Sequence, residues 1–323
     1  MRKYAYVTSV SPGYMFALNA NFNSNKFYGT NADYVVLYDS WMAQDPDYMK
    51  RCETAFPFKV IWKSRDEFSG CFHNSKYAVA QSLKDEYDVI CLIDADLFIG
   101  CDTRQYFDQA HFEKKFISAT HVWSGGNVDG LPWGQPEKMV DRIFAQFADF
   151  PVFLDPKIGE AFFKQWKENT EDGQPGSEWQ HPLVAFNRAI VKHFTREQVV
   201  PLDGFIWVSD SNFWSANYKE GLDENGKICL TTDHYGTHQT LKAVHNKWWK
   251  VGRTSGEFIP SWGRTDSDPG LVQVLDRGQN NFNVIKDFMA KFNSMTPETK
   301  REDYLQEKID WRKYLASYTG REG

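Results

Sequence analysis

Residues Tyr87–Ile93 read Tyr-Asp-Val-Ile-Cys-Leu-Ile, a nearly continuous apolar run that stops at Asp94-Ala95-Asp96. Such a run fits a strand covered on both faces, and strands of that kind belong to parallel sheets whose crossover helices bury both sides. The signals before it alternate strand and helix, which predicts an α/β fold with a mixed, mainly parallel central sheet flanked by helices. Tyr4–Val10 predicts the first strand and Ser11-Pro12-Gly13 the turn after it. A helix is expected over Tyr14–Tyr28, a second strand over Tyr34–Tyr38 ending at Asp39, a third over Phe58–Trp62, and a helix over Asn74–Leu83.

Beyond the acidic pair, Phe116–His121 predicts a further strand and Ser124–Gln135, with its Gly and Pro content, a loop. Helical patterns cover Gly159–Glu168 and Leu183–His193, separated by the polar stretch Asn169–Ser177. Strands are expected again at Phe205–Val208 and Ile228–Thr232, the second running into Asp233-His234-Tyr235-Gly236. The composition then changes, and helical patterns at Asn281–Phe292 and Tyr304–Tyr314 predict a C-terminal helical appendage. The expected division is a main domain over 1–264 and an appendage over 265–323, whose helices are a candidate face for homo-oligomer formation.

At 323 residues, 41% hydrophobic and 25% charged, the chain has material for a sizeable core and no compositional case for disorder. The net charge is −6 with basic residues spread along the chain, which argues against an extended nucleic-acid partner. No apolar stretch approaches a signal peptide or a membrane span. The five cysteines, Cys52, Cys71, Cys91, Cys101 and Cys229, form no paired CxxC set, so they read as reduced thiols in a cytoplasmic protein. Aromatic residues reach 16%, with 12 Trp, and such rings serve cores as well as sugar stacking.

In an extended strand alternate side chains share a face, so Asp94 and Asp96 are expected on one side, about 6 to 7 Å apart at their backbones. Two carboxylates so placed repel unless a cation or solvent separates them. Ligands of open α/β sheets bind at the carboxyl ends of the strands, and hard divalent ions such as Mn or Mg take carboxylate oxygens while bridging diphosphates. The pair therefore predicts a metal–diphosphate site, against the alternatives of an acidic turn or a phosphatase of the haloacid-dehalogenase type. In that superfamily the strand comes early and a Thr or Val follows two places on, whereas Phe98 stands there in this chain.

With Tyr-Asp-Val-Ile-Cys-Leu-Ile-Asp-Ala-Asp-Leu-Phe-Ile in place, the sequence resembles the GT-A glycosyltransferases. The likeness is narrower to the retaining, family 8-like group that includes glycogenin and the bacterial lipopolysaccharide galactosyltransferases. It is one of motif order over roughly residues 4 to 250. It implies a GT-A, Rossmann-like fold and transfer of a hexose from a nucleoside-diphosphate sugar, by family habit a UDP-sugar, to an acceptor hydroxyl with Mn2+ or Mg2+ as cofactor. By the same resemblance Thr8, Ser9 and Tyr14 match positions that hold the nucleobase and ribose, although strand-end and turn roles fit them equally. Asp39 is a further nucleoside contact or a turn cap. Lys76 matches a basic residue that reaches the donor.

The family's late histidine landmark has the form His-x-Gly followed by Lys and Trp. Asp233-His234-Tyr235-Gly236 matches it, making His234 the metal ligand beside Asp94 and Asp96, and Gly236 a close approach to phosphate. The spacing to Lys242, Lys247 and Trp248 departs from the family, so His238 and His245 remain rival ligands. Ser-Glu-Trp-Gln-His-Pro-Leu-Val-Ala-Phe-Asn, residues 177 to 187, is similar to the segment that shapes the sugar pocket: Trp179 and Asn187 fit, while Glu178 and Gln180 stand where Asp-Gln is expected. Those two contact sugar hydroxyls or cap a helix. A metal held by Asp94, Asp96 and His234 would act on the diphosphate leaving group, with Lys76 or Lys247 adding positive charge. Competing functions are a sugar-nucleotide nucleotidyltransferase, disfavoured because Val10-Ser11-Pro12-Gly13 lacks a Gly-rich, basic signature, and a non-catalytic nucleotide-sugar binding module. The acceptor is open at this stage.

Overall fold

The computed structural model describes residues 2–10, 15–38, 47, 50, 54, 60–64, 78–95, 97–120, 128–139, 147–171, 181–202, 205–208, 217–234, 237–246, 280–281 and 283–293. In chain order the strands are β1 (Tyr4–Val10), β2 (Asp33–Tyr38), β3 (Val60–Ser64), β4 (Val89–Leu92), β5 (Leu97–Ile99), β6 (Phe116–Thr120) and β7 (Phe147–Leu154), then β8 (Val199–Leu202), β9 (Phe205–Val208), β10 (Tyr218–Leu222), β11 (Ile228–His234), β12 (Thr237–Leu241) and β13 (Ala243–Asn246). The main helices are α1 (Met15–Tyr28), α2 (Arg104–Phe112), α3 (Glu160–Glu171) and α4 (His181–His193).

Seven strands form the central sheet in the order β3-β2-β1-β4-β7-β6-β8. The pairs β1–β2, β2–β3, β1–β4 and β6–β8 are parallel, while β7 runs antiparallel between β4 and β6. The sheet is therefore mixed and mainly parallel, with helices on both faces, as the alternation of signals predicts. One face presents Ala5, Val7, Val35, Leu37, Ile90 and Leu92 to Phe162 and Trp166 of α3 and Phe186 and Ile190 of α4. The other presents Tyr6, Val10, Tyr34, Val36, Val89 and Cys91 to Leu18 and Phe22 of α1 and Phe107 and Ala110 of α2. β4 buries all four of its residues, which is why its sequence is apolar without alternation. Many aromatic rings go to this core: Phe162 meets Phe116, Trp166 and Phe186 at centroid distances of 5.1, 5.6 and 5.7 Å.

β7 has no counterpart among the predicted strands. Its sequence contains Pro151, which cannot donate to a ladder and argues against a central strand. The structure tolerates it because the β4 pairing begins only at Val152, opposite Leu92, and because the β6 register shifts between Ser118 and Thr120. Asn187 of α4 completes the start of this strand, its amide accepting from the Phe147 N–H and donating to the Phe147 carbonyl, both at 2.9 Å.

Two small sheets complete the architecture, β10-β11-β12 and β5-β13-β9. Residues 283–290 are helical, and Ile285, Phe288, Met289 and Phe292 pack with Phe98 of β5, Tyr218, Leu230, Leu241 and Val244. The helix expected at Tyr304–Tyr314 lies outside the described residues. α1 ends at Gly29, whose φ of +96° is the left-handed conformation that lets the N–H groups of Gly29 and Thr30 close on the Asn25 carbonyl at 3.1 and 2.9 Å.

Candidate active site

From β1 the chain steps to β2 and β3 on one side, and β4 then enters on the other side of β1. Successive crossovers thus diverge at the carboxyl ends of β1 and β4, the kind of place where open α/β sheets bind ligands. The register pairs Val7 with Leu92, and the Ile93 N–H reaches the Val7 carbonyl at 3.0 Å. Thr8 and Ser9 of β1 and Asp94 after β4 follow those paired residues at the strand ends. Asp94 is half-buried. Thr8 is fully buried and Ser9 is 2% exposed, yet the Ser9 hydroxyl has no hydrogen-bond partner among the described residues. A buried orphan hydroxyl is costly and fits a group that an incoming ligand satisfies.

The strand itself ends at Leu92, before the aspartate pair. Asp94 instead opens a turn, its carbonyl accepting from the Leu97 N–H at 3.0 Å. That bond closes a turn after β4, and Asp96, the second residue of the expected alternation, lies outside the described residues. Sequence periodicity missed the turn because the apolar run continues on its far side as β5. That strand pairs antiparallel with β13: Leu97 with His245, Phe98 with Val244 and Ile99 with Ala243. The Gly100 N–H bonds to the Lys242 carbonyl at 2.9 Å, continuing the ladder. The late histidine segment is so brought beside the acidic turn, with the His245 backbone directly opposite Leu97. His234 ends β11, opposite Thr237, and His238 of β12 is opposite Asp233.

A buried polar network ties β1, β2 and α1 together. The Tyr6 hydroxyl donates to Asn25 Oδ1 at 3.0 Å and contacts Thr103, and Asn25 Nδ2 bonds to the Tyr34 hydroxyl. Burial holds the Tyr6 and Tyr34 phenols well above their ordinary value of 10.0, so both remain protonated donors.

Tyr14, Asp39, Lys76, Asp96, Glu178, Gln180, Gly236 and Lys247 lie outside the described residues, as do the side chains of His234, His238 and His245. Among the described residues no group of three His, Cys, Asp or Glu side chains converges on a metal position. Lys242 is described, and its ammonium stands 5.9 Å from the Tyr106 ring centroid. No described helix is long and apolar enough to cross a membrane.

The fold is an open, mainly parallel α/β sheet with a switch point between β1 and β4. No family model matches the sequence, and no curated protein matches it. Solved structures similar to it are glycosyltransferases. The WbbM bifunctional glycosyltransferase is 14% identical over 66% of this chain, with a TM-score of 0.47, and this chain spans 40% of its length. The galactosyltransferase LgtC, solved with donor and acceptor sugar analogues, is 12% identical over 89% of this chain and 99% of its own, TM-score 0.47. Mouse xyloside xylosyltransferase 1 is 13% identical over 76% of this chain and 97% of its own, TM-score 0.44.

Proposed function

We propose that the chain is a metal-dependent glycosyltransferase of the GT-A type, transferring a hexose from a UDP-sugar to an acceptor hydroxyl. The observation that carries this reading is the buried hydroxyl of Ser9, partnerless among the described residues, at the β1/β4 switch point, where the apolar strand ends ahead of Asp94-Ala95-Asp96. The donor set fits a hard divalent cation, since carboxylates and one imidazole suit Mn2+ or Mg2+. Asp94, Asp96 and a histidine would hold the ion, and the β5–β13 register favours His245 over His234 for that place. When bound, the ion supplies a Lewis acid for the diphosphate leaving group.

The chain's own residues then divide the remaining work. Thr8, Ser9, Tyr14 and Asp39 hold the nucleoside, and Ser9 does so with a hydroxyl that the fold leaves unused. Lys76 and Lys247 place positive charge where the leaving diphosphate develops it. Gly236 lets backbone approach the phosphates, and Glu178 and Gln180 orient sugar hydroxyls. Residues 1–264 form the catalytic domain in this reading and 265–323 its helical appendage.

Calorimetric titration with UDP, with Mn2+ and then with chelator, tests the reading beside an Asp94→Ala/Asp96→Ala double variant. Metal-dependent binding that the variant loses supports it. Absence of binding by UDP and other nucleoside diphosphates in the presence of metal rejects it. Binding without turnover of any UDP-hexose, with or without acceptor, would instead identify a nucleotide-sugar binding module.

A further inference from the structure

β5 is only three residues long, lies at the edge of its sheet and is wholly buried. Its outer peptide groups therefore need partners other than water. In an antiparallel ladder residues alternate between pairs that exchange hydrogen bonds and pairs that do not. The Gly100–Lys242 bond marks one bonded position, which leaves Ile99, opposite Ala243, with its N–H and carbonyl aimed away from β13. Both are met by α1: the Ile99 N–H donates to Asn21 Oδ1 at 3.1 Å, and the Ile99 carbonyl accepts from Ser24 Oγ at 2.7 Å. Asn21 and Ser24 are fully buried and three apart, hence on one helix face. Together they replace the neighbouring strand that β5 lacks.

The pair is expensive for α1, because Asn and Ser are weak helix formers and a buried amide must be satisfied. Asn21 Oδ1 also accepts from Asn25 Nδ2 at 3.1 Å, while Asn21 Nδ2 has no partner among the described residues. An apolar side chain would cover this edge but leave the Ile99 N–H and carbonyl unpaired. What the two polar groups add is a fixed position for Ile99 along the strand direction. Ile99 is two residues past Leu97, whose N–H closes the Asp94 turn.

We propose that Asn21 and Ser24 are positioning residues for the metal–diphosphate site: they lock the register of β5 and so hold the Asp94 turn at the height that lets its carboxylates share one cation. This rests on the donor-site reading given above. The test compares wild type, Ser24→Ala, Ser24→Cys and Ser24→Thr by two measurements. One is amide hydrogen exchange of the peptide covering residues 94–100. The other is Mn2+-dependent UDP affinity, taken well below each variant's unfolding temperature.

Ser24→Ala is expected to speed exchange in that peptide and leave β1 and β2 unchanged, with UDP binding about fivefold weaker. Ser24→Thr, which keeps the hydroxyl, is expected to retain wild-type values. Ser24→Cys, a near-isostere with a weak donor, falls between them and serves if Ser24→Ala does not fold. Unchanged exchange, or faster exchange with unchanged UDP·Mn2+ affinity, overturns the positioning role while leaving the donor site standing. A wild-type protein that binds no nucleoside diphosphate overturns the donor-site reading and this role with it.

Discussion

His245 of β13 stands directly opposite Leu97 of β5, the residue whose N–H closes the turn begun by Asp94. That backbone register joins the acidic turn to the late histidine segment. His245→Ala is therefore expected to weaken Mn2+-dependent UDP binding by at least about tenfold, and His234→Ala by less. Calorimetry on both variants decides the order, and the reverse ranking would return the ligand role to His234.

Ser9 offers a test in which stability and binding move in opposite directions. Its hydroxyl is buried without a partner, so Ser9→Ala removes an unsatisfied group and is expected to raise unfolding free energy by about 1 kcal/mol. The same change should weaken UDP binding. Urea titration and calorimetry check the two halves, and a loss of both would mean that the hydroxyl already serves the fold.

Trp166 is fully buried, with its ring centroid 4.7 Å from that of Phe186 and 5.6 Å from that of Phe162. Trp166→Ala opens a cavity between α3 and α4 and is expected to cost about 3–5 kcal/mol in urea unfolding. The fraction that remains folded should bind UDP as wild type does, since the substitution lies on the helix layer and leaves the strand ends in place.

His193 closes α4, and its Nε2 is buried without a partner among the described residues. Burial, and after it the neighbouring Lys192 ammonium, hold the imidazole below its ordinary value of 6.5. The unfolded chain then takes up a proton near 6.5 that the folded chain refuses. The folded state is accordingly favoured above that pH and loses stability as the pH falls below it. His193→Gln should flatten the fall in denaturant midpoint between about pH 7.5 and about pH 5.

Much of the fold was legible from local pattern. Tyr4–Val10 and Phe205–Val208 coincide with β1 and β9, and the apolar run before Asp94 is the buried strand β4. Where pattern misled, a nonlocal partner had replaced the local signal. β7 hides behind Pro151, which is harmless only because the pairing with β4 starts one residue later. β5 was not among the predicted strands, and the bond from Leu97 N–H to the Asp94 carbonyl sets a turn between it and β4. Asn187 matched a sugar-pocket position, and in the fold its amide clasps both peptide groups of Phe147.

Apolar runs, helix periodicity and punctuating Gly and Pro decide which segments become strands or helices, because each is a property of neighbouring residues. Those signals sufficed for an α/β chain with carboxylates beyond a doubly buried strand. They could not say that β4 crosses to the far side of β1, that β7 enters antiparallel, or that β13 sets His245 opposite Leu97. Strand order and register are chosen by hydrogen bonds and packing between segments far apart in the chain, and a shift of one residue in any ladder would turn every side chain to the other face without changing local pattern at all.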